Sequence, residues 1–542
     1  MKTIVTTKSI REASRALFIQ IESNGNLAVR ALGNLISLSK SSAFRLKKAF
    51  ARRNKYPESA FWETQNGYAW LRLMELAVLY TFGLQHHVGA EALSDFFKLI
   101  RIDDHVGVSS NAIRNQLSEM KKLLPAFQKQ CESSAPEETR KAVLAADETF
   151  FGQILILVLM DLSSGYLVLE SIQNDRTFDT WFTQSEPRLK ALGIEVNHAV
   201  SDRAKALIKL AIDGFECKSG ADLFHEQYGL SRWLSGVFGR RKAKAEQQYE
   251  KAENDLKTKP SDMSDTKIVT LEEQLEDAKK AREHVERSQQ EYRDQLQGIA
   301  DEVHPFSLDE TIRTTDVGVA SGLEKRVQAI ETLAKREDIP DTRSALPKFR
   351  AQIAALSCHI GVWWLWVESA LLELSVDIPT QQWLIGRLLP VLYWHHQMDK
   401  TKNSIQRKRY EKAWQRASRE LEADPFGLGL STSELERWLE WGEWMVRQFH
   451  RSSSAVEGRN GRLSQMYRNG RGLTKNRLEA LTVIHNYGLR RSDGTTAAER
   501  LFGVPFPNLF DWLVSQMGEL PLPRKARQRV EHKPLILLSV PA

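Results

Sequence analysis

Residues 142–172 read AVLAADETFFGQILILVLMDLSSGYLVLESI, and this stretch decides how the chain is read. Ala142 to Asp147 is a short apolar run that ends on a carboxylate. Ile154 to Asp161 is a second run and Tyr166 to Ile172 a third, the last two joined by Ser163-Ser164-Gly165, the composition of a hairpin turn. Ile154 to Met160 is bounded at once by Asp161, well short of the roughly 18 to 20 apolar residues that a membrane span needs, so it reads as a buried strand. Beyond it the period changes. Phe178 to Leu192 predicts a helix, Glu195 to Ser201 a fourth strand, and Ala204 to Ile212 another helix.

Outward from this core the chain reads as helical. Upstream, Cys131 to Arg140 (CESSAPEETR) is a polar, Pro-bearing linker. Residues 1–60 have the outline of a helix-turn-helix: Ala28 to Leu32, a turn, then a Ser39-capped segment carrying Lys40, Arg45, Lys47 and Lys48. Those four are assigned to DNA, the bland alternative being a basic amphipathic helix with a solvated face. Residues 61–135 form a second helical block in which Leu93, Phe96, Phe97 and Ile100 make an apolar stripe and Ser109-Ser110-Asn111 offers an N-cap. A second DNA-binding module and a plain packing domain fit this block equally.

Downstream, Ser235 to Glu302 is strongly helical and highly charged, broken near Pro260, the pattern of a long hairpin with coiled-coil character. Residues 303 to 445 contain no convincing strand and hold Trp363, Trp364, Trp366, Trp383, Trp394, Trp438, Trp441 and Trp444. A stacking platform for an unpaired base is one reading of these; Trp at helical spacing is far more often core. The predicted order is therefore 1–60, 61–135, a core from 138 to 234, an all-helical stretch from 235 to 445, a return to the core over 446–495, and a peripheral tail over 496–542.

The chain has 542 residues, 42% hydrophobic and 27% charged, and this balance describes a globular protein rather than a disordered one. Its net charge of +7 is weak support for a polyanionic partner, but the basic residues concentrate at the two ends: Met1 to Lys55 sets its lysines and arginines against only Glu12 and Glu22. Ser452 to Arg491 is similarly basic, and Arg459 and Arg462 within it are assigned to DNA. Cys131, Cys217 and Cys358 are too few and too dispersed for a disulfide framework or a thiolate zinc site. His86-His87 and His395-His396 lack spaced partners and receive no role. The N-terminus lacks the apolar core of a secretory signal, so a cytoplasmic location is expected, with no membrane partner.

Three acids carry the candidate chemistry. Asp147 and Asp202 each close an apolar strand, and carboxylates at neighbouring strand ends can share hard divalent cations. Glu457 lies in SSSAVEGRNGRL, in or near a first helical turn, with Asn460 close by. Singly, each has an ordinary explanation as a turn or helix-start acid. Glu148 would point to the opposite face of the strand from Asp147, so Asp147 is preferred.

Together, Asp147 in LAADETFFG, Asp202 in AVSDRAKAL and Glu457 in SSSAVEGRNGRL resemble the DDE transposases of bacterial insertion sequences. The order of strands and helices is similar to the start of an RNase H-like fold. The resemblance covers about 140–235 and 450–490. It implies an α/β RNase H-like core interrupted by a large all-α insertion, with an N-terminal helix-turn-helix DNA-binding region. It also implies two Mg²⁺ or Mn²⁺ ions held by Asp147, Asp202 and Glu457, cleavage at transposon ends, and attack of the freed 3′ hydroxyl on target DNA. Double-stranded DNA and a homo-oligomer, at least a dimer on paired ends, are the implied partners, in the bacterial cytoplasm at the nucleoid. Asp222-Leu-Phe-His225 resembles a Cys-or-Asp, two residues, His motif of related transposases, so Asp222, His225 and Asn460 are expected to support the acids. The long gap between Asp202 and Glu457 departs from families with a short spacer. An RNase H-like nuclease without strand transfer and a non-catalytic, transposase-derived DNA-binding protein are the competing readings.

Overall fold

The computed structural model describes residues 7–25, 27–260, 263–468 and 472–523. The chain forms two compact units, one from Met1–Ala135 with Gln465–Ala542, the other from Pro136–Ser464.

The first unit is helical. Helices α1 (Thr7–Asn24), α2 (Val29–Leu35) and α3 (Lys40–Arg53) are followed by α4 (Gln65–Val78), α5 (Ala90–Leu99) and α6 (Ser110–Ser134). Ser39 caps α3 by accepting from the Ser42 N–H, and Ser109 caps α6 by accepting from the Ala112 N–H, as the sequence predicts. The turn between α2 and α3 is tight because a Cβ at Gly33 would stand 2.8 Å from the Leu38 carbonyl, closer than any side chain tolerates. In the α5 stripe, Leu93 and Phe97 are buried whereas Phe96 and Ile100 face solvent.

The second unit is built on a five-stranded mixed sheet: β1 (Arg140–Phe151), β2 (Ile154–Asp161), β3 (Leu167–Gln173), β4 (Ile194–Ser201) and β5 (Lys218–Ala221), in the order β3-β2-β1-β4-β5. The first three form an antiparallel meander; β4 and β5 run parallel to β1. Gly152 and Gly165 hold the positive φ that the two hairpin turns need, and Asp161 accepts from the Ser164 N–H and hydroxyl to lock the second. β2 is apolar on both faces because both are covered, and seven of its eight residues are buried. Helix α7 (Phe178–Ala191) covers one face through Trp181, and the short α8 (Lys205–Lys209) links β4 to β5. Two expectations change here. β1 runs four residues past Asp147, so Asp147 is inside a strand rather than at its end. β5, only four residues of mixed character, was not predicted from the sequence.

From β5 the chain is helical: α9 (Leu223–Lys257) and α10 (Asp265–Glu302) form the long hairpin expected around Pro260, beginning twelve residues earlier than the charge pattern suggests. Then come α11 (Asp316–Arg336), α12 (Ala345–Glu373), α13 (Ile378–Trp383), α14 (Leu389–Lys400), α15 (Ser404–Glu422), α16 (Pro425–Leu428), α17 (Thr432–Arg447) and α18 (Ser454–Met466). Trp363, Trp364, Trp366, Trp383, Trp394 and Trp438 are buried, the core reading, while Trp444 is 45% exposed. By length and composition α12 is the one helix among the described residues apolar enough to cross a membrane, and 56% of that window is buried in the protein.

After α18 the chain returns to the first unit as α19 (Lys475–Val483), α20 (Ala497–Phe502) and α21 (Leu509–Gln516). Of the peripheral tail expected over 496–542, residues 497–523 are packed into the first unit, and 524–542 lie outside the described residues. Leu509, Leu513 and Leu520 are buried, Trp512 packs edge-on against Phe127, and Arg72 donates to the Val514 carbonyl at 2.8 Å. Residues 1–60 and 61–135 both belong to the first unit.

Candidate active site

The sheet register sets the site. Asp147 on β1 and Glu170 on β3 both stand opposite Val158 on β2, so all three side chains point to the same face. α18 lies on that face. Asn460 donates through Nδ2 to Asp147 Oδ2 at 2.7 Å, and Arg459 makes a two-pronged ion pair with Glu170, Nε to Oε1 at 2.7 Å and Nη2 to Oε2 at 2.6 Å. A third tie fixes the start of the helix: Asp222, just after β5, accepts from the Ser453 N–H at 3.1 Å and from its hydroxyl. Glu148 turns the other way, accepting from Trp181 on α7 and from Arg176.

These ties bring Asp202, Glu457 and Asp222 within range of the charge on Asp147, and Asp222 within range of Glu457. Burial pushes the Asp147 carboxyl up to about 6, against the Glu148 N–H that stabilises its ionised form, and the charges of Asp202, Glu457 and Asp222 push in the same direction. Glu457, exposed in the first turn of α18, is pushed up by partial burial and by Asp222 and drawn back by His225. Asp202 is exposed just beyond β4 and accepts from the Ala204 N–H at 3.0 Å. His225 is exposed on the first turn of α9. Asp222 is buried and also caps α9, its Oδ1 accepting from the Phe224 and His225 N–H groups.

Two residues assigned to DNA are engaged elsewhere. Arg459 is buried with Glu170, so its guanidinium anchors α18 to the sheet. Lys47 donates to the Leu27 carbonyl at 2.9 Å and ties α3 to the segment before α2. Lys40, Arg45 and Lys48 are exposed on α3. Arg462 is half-buried, and burial beside Arg459 lowers its pKa.

The structure adds residues that the sequence did not single out. Burial pushes the Glu226 carboxyl up to about 7, with His225 and Arg203 opposing and Asp222 and Asp202 reinforcing the push. Its spacing of four residues after the capping Asp222 was the available signal, because it puts both on one helical face. Behind the site, His359 of α12 donates through Nε2 to the Ala221 carbonyl at 2.8 Å, so its Nδ1 must accept, and His198 Nε2 donates to it at 2.8 Å. Burial keeps both rings neutral, pushing His359 down to about 4. A Cβ on Gly220 would stand 2.3 Å from His359 Cε1, so only glycine lets the pair pass behind β5.

The carboxylate donors have the chemistry that hard divalent cations prefer, and a cation would relieve the mutual repulsion that raises Asp147. The side chains as they stand do not close a cage: among the described residues no group of three or more His, Cys, Asp or Glu has metal-holding geometry.

Residues 384–529 match the model of a family of unknown function, DUF6399. That match includes Glu457 and Asn460 and excludes Asp147 and Asp202. No curated protein matches the chain.

Proposed function

We propose that the chain is a DNA strand-cutting and strand-joining enzyme of the DDE transposase kind, its mixed sheet an RNase H-like core interrupted by the helices from α9 to α17. The observation that carries the reading is the return of α18 to the sheet, which brings Glu457 into the charge field of Asp147 and Asp222 from far along the chain. Strand order β3-β2-β1-β4-β5, with three antiparallel strands and two parallel ones, supports the same reading.

On this reading Asp147, Asp202 and Glu457 would hold two Mg²⁺ or Mn²⁺ ions, which would supply Lewis-acid polarisation of the scissile phosphodiester and of the attacking oxygen. Asp222 fixes where α18 begins, Asn460 orients Asp147, and Arg459 with Glu170 clamps the helix to the sheet. Glu226, with its carboxyl pushed up to about 7, is poised to take up or release a proton near neutrality. Lys40, Arg45 and Lys48 on the Ser39-capped α3 would engage duplex DNA, with the protein acting in the bacterial cytoplasm as at least a dimer on paired ends.

The test is cleavage and joining of a plasmid carrying the DNA that flanks the coding region, with Mg²⁺, Mn²⁺, Ca²⁺ or chelator. Asp147→Asn, Asp202→Asn and Glu457→Gln should each abolish cleavage and retain binding in a gel shift. Cleavage without joining would favour the simple nuclease. Full cleavage by any of the three variants, or cleavage in chelator, would overturn the assignment.

A further inference from the structure

A row of residues at four-residue spacing winds along the exposed side of α9, away from the carboxylates. Two residues after the capping Asp222 stands Phe224, and one turn later Tyr228; they are 52% and 53% exposed and their rings stack at 6.4 Å with 11° between planes. One turn on, the Arg232 guanidinium lies 5.8 Å from the Tyr228 ring. Gly236 and Gly239 then leave the helix surface bare: a Cβ at Gly239 would meet nothing within 4 Å, and at Gly236 only the Arg240 side chain. Here the helix borders a hollow of about 300 Å³ lined by Arg232, Arg240, Arg241 and, from the loop before α12, Arg343.

The charge of this hollow is not balanced by the protein. Arg241 is engaged by Glu337, donating to its carbonyl at 2.8 Å and lying 3.7 Å from its carboxylate. Arg232, Arg240 and Arg343 are exposed and have no carboxylate within ion-pair distance among the described residues; Asp338 is the one acid in the lining. Unpaired guanidinium groups around a concavity suit phosphate oxygens, which they bind in a planar fork. Exposed, stacked rings beside them suit the face of an unpaired base, which every nucleobase offers. An acidic peptide or a lipid headgroup would use the arginines and leave the rings without a partner.

We propose that this winding row on α9 is a track for an unpaired nucleic-acid strand, with phosphates held by Arg232, Arg240 and Arg343 and a base laid on the Phe224–Tyr228 stack. Tyr228 to Arg240 spans about 18 Å of helix at 1.5 Å per residue, enough for several nucleotides. The inference deepens the strand-transfer reading, because the track starts at Asp222 and would deliver a single strand to the acids.

The test measures fluorescence anisotropy of a labelled oligothymidine over a series of salt concentrations. It uses the full chain with Lys40→Ala, Arg45→Ala and Lys48→Ala, so that α3 contributes nothing. Adding Arg232→Gln, Arg240→Gln and Arg343→Gln, all exposed positions that spare the core, should weaken binding at least tenfold. The slope of log affinity against log salt should fall by about 2, near 0.7 for each phosphate no longer neutralised. An oligothymidine with a single abasic site should bind less well than the intact one to the parent protein and equally to Phe224→Ala/Tyr228→Ala. Unchanged affinity and slope in the triple glutamine variant would overturn the track, as would equal loss of binding to polyglutamate. The anisotropy assay holds no divalent ion and reads no cleavage, so failure of the cleavage reading and failure of the track are separately visible.

Discussion

Asn460 Nδ2 donates to Asp147 Oδ2 at 2.7 Å across 313 positions of sequence, and this bond is where the late helix α18 meets the early strand β1. The amide favours the ionised carboxylate, in opposition to burial and the surrounding acids. Asn460 is therefore a positioning residue. Asn460→Ala should raise the Asp147 pKa, moving the acid limb of a cleavage pH profile upward by about 1 to 2 pH units, on the scale of one hydrogen bond to a charged group. An unshifted profile with merely reduced stability would mean the bond serves only packing.

Asp147 itself should make the protein less stable as pH rises. Its carboxyl is pushed from 3.8 to about 6 in the folded state, so its contribution is fully present below 3.8 and lost as pH rises through 6. That displacement sets a ceiling of about 3 kcal/mol. Asp147→Asn should then stabilise the protein by about 1 to 3 kcal/mol at pH 8 and by little at pH 4, read from urea melts at the two pH values. A variant less stable than the wild type at pH 8 would refute the strain.

The Arg459–Glu170 pair is 2% and 0% exposed. Breaking one partner leaves a buried charge without compensation, so Arg459→Met should cost about 3 to 5 kcal/mol, and Arg459→Met/Glu170→Met should recover most of it. If Arg459→Met instead leaves stability intact and weakens DNA binding with a smaller salt slope, Arg459 is a phosphate ligand after all.

The His198–His359 pair predicts the opposite limb of the stability profile. His359 is pushed down to about 4 from 6.5, so its stabilisation is present above 6.5 and is lost as pH falls toward 4, with a ceiling of about 3 kcal/mol. His359→Gln, which keeps an acceptor and a donor, should flatten the acid side of the stability curve. Gly220→Ala should cost about 1 to 3 kcal/mol or more through overpacking against the same rings. A melting curve equally steep in acid for His359→Gln would place the titration elsewhere.

On α3, exposure separates the four basic residues. Replacing Lys40, Arg45 and Lys48 with Glu should weaken binding to duplex DNA and lower its salt slope, while Lys47→Met should lower the melting temperature and leave the slope unchanged. Equal slopes for all variants would remove α3 from the DNA interface.

Much of this protein is written in local sequence. The apolar runs at 142–147, 154–161 and 166–172, the Gly165 turn, the Ser39 and Ser109 caps and the charged hairpin around Pro260 all depend on nearest neighbours and the period of apolar residues, so each was legible. β5 was not, because four residues of mixed character become a strand only when β4 offers its edge. The C-terminal segment read as a tail because Pro and Arg content describes solubility, whereas its burial depends on the apolar faces of α4 and α6.

The candidate site divides in the same way. The sequence by itself determined which side chains have the required chemistry: Asp147, Asp202, Asp222 and Glu457 are carboxylates whatever surrounds them. Only the tertiary structure decided their roles. Register put Asp147 and Glu170 on one face of the sheet, and that face captured α18 through Asn460 and Arg459, turning an arginine that reads as a DNA ligand into a buried anchor. Such roles depend on burial and on partners hundreds of positions away, and composition, period and spacing extend only a few residues along the chain.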